Sequence, residues 1–439
     1  MMEKLNEEKI RKALDIVSAN DPKLVTSLNS CVHCGLCAKS CVFYLAFNDS
    51  KYIPAHKVEI VSSVYRRYCT LTGRTLPFLV NARKMDDKLI EEMVDILYGG
   101  CTMCGRCVKH CSIGVDIEYV VRRGRTMLAD MGYVPATLQA TVNAALETGN
   151  NMAIPEDEFL DTIQWMEEEM QDDLNDPEAK IPVNIPDMNV LYTINPREPK
   201  FFPLSIAAMA KVFYAAGETW TISTQMYDVT NYGYFSSNEK EAAVIAQRLY
   251  DEVINMRVKT LALGECGHGS RAGRWEAPNY IQMKFPVEAV TSVELMARYI
   301  REGRIKVDKS KNTKKVTLHD PCNLVRGGGV FEEQRYILGM VASDFVEMVP
   351  FGYDNYCCGG GGGHLSMSEY NDRRMKTGEL KAKQIRDTGA QIVITPCHNC
   401  VDQLIQLNVA YKLNVEIKTV AEIVADALVF ENNAENNES

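Results

Sequence analysis

The chain has 439 residues, 46% of them hydrophobic and 24% charged, an ordinary globular balance with length enough for two or three domains. Its formal charge of −10 argues against nucleic acid as a partner, and no run of about 18 apolar residues marks a transmembrane segment. The N-terminal "MMEKLNEEKIRKALDIV" is charged, with a helical pattern and no apolar signal core. A cytoplasmic location is therefore expected, where 15 cysteines point to metal rather than to disulfides.

In chain order, the first chemistry-bearing stretch is "CVHCGLCAKSC", with Cys31, Cys34, Cys37 and Cys41 spaced C-x2-C-x2-C-x3-C. "CTMCGRCVKHC" repeats the spacing at Cys101, Cys104, Cys107 and Cys111. This is the ligand order of bacterial-type 4Fe–4S sites, in which the fourth cysteine of each run serves the other cluster. It assigns Cys31, Cys34, Cys37 and Cys111 to one cube, and Cys101, Cys104, Cys107 and Cys41 to the second. Gly35 and Gly105 stand at matching places, where bare backbone lets N–H groups approach sulfide. The proline that usually follows the fourth cysteine is replaced by Val42 and Ser112. Zinc sites would need four ligands each and would not explain the duplicated order.

Between the two runs, "HKVEIVSSVYRRYC" and "DDKLIEEMVDILY" carry apolar residues at helical spacing, so the module is predicted to be mostly helical, with Cys69 a small core residue. Residues 126–179 contain no Lys or Arg. The acidic "PEDEFLDTIQWMEEEMQDDLNDPE" reads as a helical connector whose apolar face is expected from Phe159, Leu160, Ile163 and Trp165. Its acidic side is either a solvated face or a docking surface for a basic partner.

Short β-branched runs follow: "NVLYTI" (189–194), "KTLALG" (259–264), "KKVTLHD" (314–320) and "QIVITP" (391–396). Helical patterns such as "EKEAAVIAQRLYDEVINM" and "RRMKTGELKAKQIRDTG" lie between them, and the alternation predicts α/β architecture with largely parallel pairing. The basic "RIKVDKSKNTKK" reads as a solvated turn between two elements, with a docking patch as the alternative. Two halves align: "VLYTINP", "TNYGYFS" and "LALGECGHG" match "VTLHDPC", "NYCCGGGGG" and "VITPCHNC". Cys322 then faces Asn195, Cys397 faces Cys266, and Cys400 faces Gly269.

The second half thus offers Cys322, Cys357, Cys358, Cys397 and Cys400 at strand ends or in loops, which in α/β folds converge on one crevice. Five thiolates exceed the need of one cube. The adjacent Cys357 and Cys358 can touch neighbouring irons of a larger or distorted cluster, and Gly359 to Gly363 offer N–H donors without obstructing side chains.

The pattern C-x34-CCG-x37-C-x2-C resembles the cysteine-rich CCG domain of heterodisulfide reductases. A paired-cluster module followed by CCG repeats is similar to the D-type subunit of those enzymes. The worn first repeat, keeping only "GECGHG", resembles the DsrK-, HmcF- and TmcB-type subunits of respiratory membrane complexes. The resemblance implies an α + α/β chain: a helical ferredoxin-type domain (1–130), an acidic connector (131–187) and an α/β CCG domain (188–430). The last would hold a degenerate repeat (188–275) and an intact one (314–410), followed by a disordered tail (431–439). It further implies two cubane 4Fe–4S clusters and an additional, noncubane or altered, 4Fe–4S centre on Cys322, Cys357, Cys358, Cys397 and Cys400.

The implied activity is reduction or formation of a disulfide on a small thiol cofactor or small protein. The implied partner is a membrane cytochrome b-type subunit, which would hold the chain at the inner face of the membrane. A pure electron relay is the alternative. Cys69 and Cys266 remain outside the ligand count. Cys266 is either a relic of the repeat or a ligand or thiol facing the special centre. Of the histidines near site cysteines (His268, His319, His364 and His398), His268 and His364 are the chosen candidates for a general acid. Arg326 is a candidate to hold a carboxylate or to neutralise sulfides. No G-x-G-x-x-G after a strand marks a flavin or nicotinamide site.

Overall fold

In a computed structural model, residues 7–18 and 21–430 are described; the expected tail at 431–439 lies outside them. Every described element up to residue 174 is a helix, and each forms for local reasons. Pro54–Cys69 starts on a proline at its first turn and buries Val58, Ile60, Val61 and Val64. Asp87–Leu97 is capped by the Asp86 carboxylate, which accepts from Leu89 N at 2.8 Å. Together with Ile117–Asp130 these helices enclose the first core. Cys69, expected inside, is only half-buried, because it falls in the last turn of its helix.

The acidic connector is two helices, Ala136–Thr148 and Glu156–Leu174. In the second, Phe159, Ile163, Met166 and Met170 form the buried stripe. Leu160 (40% exposed) and Trp165 (54%) point outward, contrary to the expected apolar face. Helical geometry gives the reason, since residues spaced 4, 3 and 4 apart share one side, and Leu160 and Trp165 lie off it.

Beyond the connector stand two four-stranded parallel sheets. The first comprises β1 (Val190–Thr193), β2 (Trp220–Thr221), β3 (Thr260–Leu263) and β4 (Glu288–Thr291), in the order β2-β1-β3-β4. The second comprises β5 (Val316–Leu318), β6 (Phe345–Glu347), β7 (Ile392–Ile394) and β8 (Glu416–Lys418), in the order β6-β5-β7-β8. The topologies are identical, so the two halves are one repeat. In both, the strand order reverses between the central strands, paired in register as Val190↔Thr260 and Val316↔Ile392. Both repeats also close with the same capping box, Thr291 with Glu294 and Thr419 with Glu422, opening the helix after the last strand.

The two sheets share one core that includes Val190, Tyr192, Val316, Leu318, Ile392 and Ile394. Their loops interlock as well. Glu265, after β3, accepts from Val420 N at 2.8 Å and Ala421 N at 2.6 Å. His398, after β7, stands with its Nδ1 3.3 Å from the Glu198 carboxylate. The carboxyl ends of both sheets are thereby turned toward each other and toward the helical module.

Candidate functional site

The two ferredoxin-type loops have the same backbone. His33 and Met103 are left-handed at φ 54° and 52°, and Gly35 and Gly105 follow at 77° and 70°. Consecutive left-handed turns aim backbone N–H groups into the concavity, and Met103 N donates to the Cys101 Sγ at 3.4 Å. Cys31 faces Cys111 and Cys34, with Cys37 beside them. Cys107 faces Cys104, Cys101 and Cys41. The second group lines a buried cavity with Lys57, Thr102 and Gly105, whereas Cys34 is exposed and Cys31 half-buried. Lys57 is an unforeseen member: it is buried, its Nζ lies 3.9 Å from the Cys41 Sγ and donates to Gly100 O at 2.5 Å. Burial opposes its charge, yet the thiols of Cys41 and Cys101 outweigh burial and hold the ammonium above its usual range.

The C-terminal thiols meet at the carboxyl ends of β5 and β7. Cys322, Cys357, Cys358, Cys397 and Cys400 line one cavity with His268 and His319, and the Cys358 and Cys400 sulfurs are 3.7 Å apart. Hydrogen bonds from Cys104 and Cys322 hold the Cys357 thiol below its usual range. Those from Cys357 and Cys400 do the same, more strongly, for Cys358, and those from Cys266 and Cys400 for Cys397. The donors Cys104, Cys322, Cys400 and Cys266 are pushed up correspondingly. A continuous thiol chain thus runs Cys104–Cys357–Cys358–Cys400–Cys397–Cys266, with Cys322 joined at Cys357.

The repeat had set one link of this chain, Cys266 opposite Cys397, while another lay outside any spacing. Cys266 touches Cys397 and accepts from Asn195 Nδ2 at 3.4 Å and Gly269 N at 3.2 Å. Cys104, part of the ferredoxin-type run, hydrogen-bonds Cys357 and lines one cleft with Cys322. Sequence distance conceals such a contact, because docking of the two modules creates it.

The glycine run explains that docking. Gly360 and Gly361 line the thiol cavity, but Gly362 lies against the helical module. A Cβ there would stand 2.7 Å from the Thr102 Cα and 2.8 Å from the Cys101 carbonyl oxygen, and its φ is +66°. Bare backbone is needed as much for the junction between modules as for approach to sulfur.

Among the histidines, His268 lines the cavity, stacked on Phe235 with ring centroids 3.9 Å apart. Its Nε2 contacts Asn231 O at 2.8 Å, and burial holds it down to about 4. His364 is not brought to the thiols. Its Nδ1 and Nε2 contact Gly361 O at 2.9 Å and Gly99 O at 3.3 Å, within the junction, where short backbone contacts use both ring nitrogens. His319 occupies the place foreseen for His364. It is buried, neither ring nitrogen has a hydrogen-bond partner, and it forms a potential ligand group with Cys358 and Cys400, their donor atoms within 4.8 Å of one another. Its position directly after β5 was the available signal. Arg326 donates to the carbonyls of Tyr353 (2.8 Å), Cys104 (2.7 Å) and Asn355 (2.5 Å) and lines a cleft with Cys104 and Cys322, where its charge opposes the upward push on both thiols.

The donor set fits iron–sulfur groups: buried thiols gathered in two cavities, backbone N–H groups aimed at sulfur, and a buried ammonium beside thiolates. Comparison with known proteins agrees. Residues 27–115 match the 4Fe–4S dicluster domain, and residues 316–405 match the CCG cysteine-rich domain. The chain therefore carries a 4Fe–4S dicluster module and a CCG cysteine-rich module. Several proteins it is similar to are subunits of heterodisulfide reductase or Hdr-like systems. It is 29% identical to the Hdr-like menaquinol oxidoreductase iron–sulfur subunit 2 of Archaeoglobus fulgidus, over 92% of this chain and 80% of that one. To the D-type subunit of the dihydromethanophenazine:CoB–CoM heterodisulfide reductase of Methanosarcina acetivorans it is 26% identical, covering 91% and 94%. Similarity at 23% identity extends to the EtfAB:quinone oxidoreductase of Syntrophomonas wolfei, covering 87% of this chain and 55% of that one. Among the described residues, no helix is long and apolar enough to cross a membrane.

Proposed function

We propose that this chain is the disulfide-active subunit of a membrane-associated respiratory complex, reducing a disulfide on a small thiol cofactor or small protein, or forming it in reverse. Bound 4Fe–4S groups supply one-electron transfer. Cys31, Cys34, Cys37 and Cys111 would hold one, and Cys101, Cys104, Cys107 and Cys41 the second. Cys322, Cys357, Cys358, Cys397 and Cys400 would hold the third. The observation that carries the reading is the hydrogen bond between Cys104 and Cys357, which puts an expected dicluster ligand against the CCG thiols.

Reducing a disulfide takes two electrons and two protons and yields two thiols. Cys322, the half-buried member of its set, lines both the thiol cavity and an open polar cleft that includes Lys109, Arg271 and Asn323, which offers a substrate its approach. His268 and His319 stand beside the thiols where hydrogen bonds to released sulfur are needed. Cys266 is placed to ligate iron or to hold one half of a mixed disulfide. The name of the Archaeoglobus fulgidus relative, a menaquinol oxidoreductase subunit, supports a quinol-reactive complex, and the proposal adds a membrane cytochrome b-type partner at the inner face of the membrane.

Anaerobically purified protein, oxidised in the presence of candidate thiols and followed by EPR, tests the reading. A thiol-dependent paramagnetic signal that vanishes in Cys357→Ser, with both dicluster signals retained, is expected. The relay alternative is favoured by the near-complete burial of Cys357, Cys358 and Cys397, and a protein with three centres and no thiol-dependent signal would establish it.

A further inference from the structure

We propose that residues 66–84 form a lipid-docking element that seats the chain on an anionic membrane surface beside the Cys31 loop. The proposal rests on the membrane association suggested above and not on the disulfide chemistry, which iron content and EPR report independently.

From Ile60 to Met85 the sequence has no acidic residue, while Arg66, Arg67, Arg74, Arg83 and Lys84 fall within it. The segment leaves the end of the Pro54–Cys69 helix, makes the short helix Leu71–Thr75 and turns through Pro77–Val80. Its backbone is well tied: Thr70 Oγ1 accepts from Gly73 N at 3.0 Å, Leu76 N donates to Thr72 O at 2.8 Å, and Ala82 N donates to Pro77 O at 2.9 Å. Yet its large apolar side chains point outward. Leu71 is 80% exposed, Phe78 77% and Leu79 64%, with Leu76 also exposed. A rigid segment that presents four apolar side chains to water has a surface to meet.

The charge around this tip indicates which surface. Arg66 is paired with Glu59, and Arg83 with Glu92 at 2.7 Å. Arg67 and Arg74 donate only to backbone carbonyls, of Gly73, Arg74 and Tyr68. Lys84 is exposed and has no acidic partner among the described residues. Uncompensated cations around an apolar tip are what an anionic headgroup layer with acyl chains beneath it complements. The chain as a whole carries −10. Screening within a Debye length of about 10 Å lets the local sign decide the contact.

The element also adjoins the exposed dicluster loop. His33 Nε2 lies 3.3 Å from Glu59, and the same carboxylate accepts from Asn81 Nδ2 at 2.7 Å. Seating the tip therefore brings Cys34, with the exposed Val32 and Leu36, near the membrane plane, where a quinol-reactive partner would hand over electrons.

Cosedimentation of the full-length holoprotein with vesicles tests this. Partition onto phosphatidylglycerol/phosphatidylethanolamine vesicles should exceed that onto phosphatidylcholine by about tenfold and fall as salt rises from roughly 50 to 300 mM. Phe78→Ser with Leu79→Ser should lower it about tenfold, and Arg67→Gln with Arg74→Gln about threefold, while Val409→Ser, at an exposed site elsewhere, leaves it unchanged. Fluorescence of Phe78→Trp should be quenched by brominated phospholipid, a readout that does not depend on the serine variant folding. Equal binding to neutral vesicles, wild-type partition of the Phe78→Ser/Leu79→Ser variant, or an unquenched Trp overturns the proposal. Binding only to vesicles that carry a membrane-protein partner also overturns it and assigns the surface to protein.

Discussion

Arg125 donates through Nη1 to the Gly362 carbonyl at 3.0 Å, a bond between residues 237 apart in sequence. The same guanidinium reaches the carbonyls of Leu97 (3.0 Å), Phe235 (2.8 Å) and Cys101 (2.7 Å). One buried side chain thus joins the helical module, the first repeat and the glycine run of the second. Removing it strands several buried acceptors at about 1–3 kcal/mol each. Arg125→Met should lower unfolding free energy by at least about 3 kcal/mol in anaerobic urea melts. Arg125→Lys should restore only part of it, because one ammonium does not span four carbonyls.

Gly362→Ala tests the junction from the other side. The added methyl meets the backbone of Thr102 at 2.7 Å, at a φ of +66° that already disfavours it. Iron should be lost from the Cys101 and CCG sites while the Cys31 site stays filled, as read by iron and sulfide content together with EPR. Gly329→Ala, at φ +81° with nothing within 4 Å, carries the strain without the crowding and should keep its iron.

What the sequence disclosed and what it hid divide along a physical line. Ligand spacing in each cysteine run is a property of one loop, so Cys31 to Cys41 and Cys101 to Cys111 were legible directly. The central strands β1, β3, β5 and β7 were legible as apolar β-branched runs. The edge strands were not: β2 has two residues, and β6 and β8 are only partly buried, so neither length nor burial marks them. The paired capping boxes, "TSVE" and "TVAE", would have revealed β4 and β8 through the repeat. Lys57 and Arg125 owe their roles to what packs against them, and only its place directly after β5 distinguishes His319 from His364.

Asp228 predicts a pH response remote from the thiols. Its buried carboxylate accepts from Thr230 N at 2.6 Å and Asn151 N at 2.8 Å, yet burial outweighs these bonds and raises it to about 6, from 3.8 for the free group. The protonated form therefore favours folding. Its contribution is complete below pH about 4 and is lost as pH rises through about 6, a change of about 3 kcal/mol. Across that window the stability of wild type relative to Asp228→Asn should fall with rising pH, as measured by urea unfolding.

Lys57 should set a potential. Its ammonium is 3.9 Å from the Cys41 Sγ and shielded from water, and a fixed positive charge favours the more negative, reduced state of whatever those thiolates hold. At an effective dielectric near 20, a charge a few ångströms away is worth about 3–4 kcal/mol before relaxation. Lys57→Met should shift the midpoint of the Cys101-site signal downward by on the order of 100 mV in EPR-monitored titration. The Cys31-site signal should not move.

Cys266 is the last cysteine of the worn repeat and ends the thiol chain at Cys397. The repeat explains its position: Cys266 and Cys397 each lie just past the end of the equivalent strand, β3 or β7, at the residue that precedes the next helix. The hydrogen bond from Cys266 holds the Cys397 thiol low, so removing it weakens the thiolate character of Cys397 without taking away any of the five CCG sulfurs. Cys266→Ala should therefore leave iron and sulfide content at the wild-type level, while shifting the thiol-dependent EPR signal and lowering disulfide turnover about tenfold or more. Cys357→Ser should instead remove the signal with its iron. If Cys266→Ala also lost iron from the CCG site, Cys266 would be a sixth ligand; if signal and turnover both stayed unchanged, the cysteine would be only a remnant of the repeat.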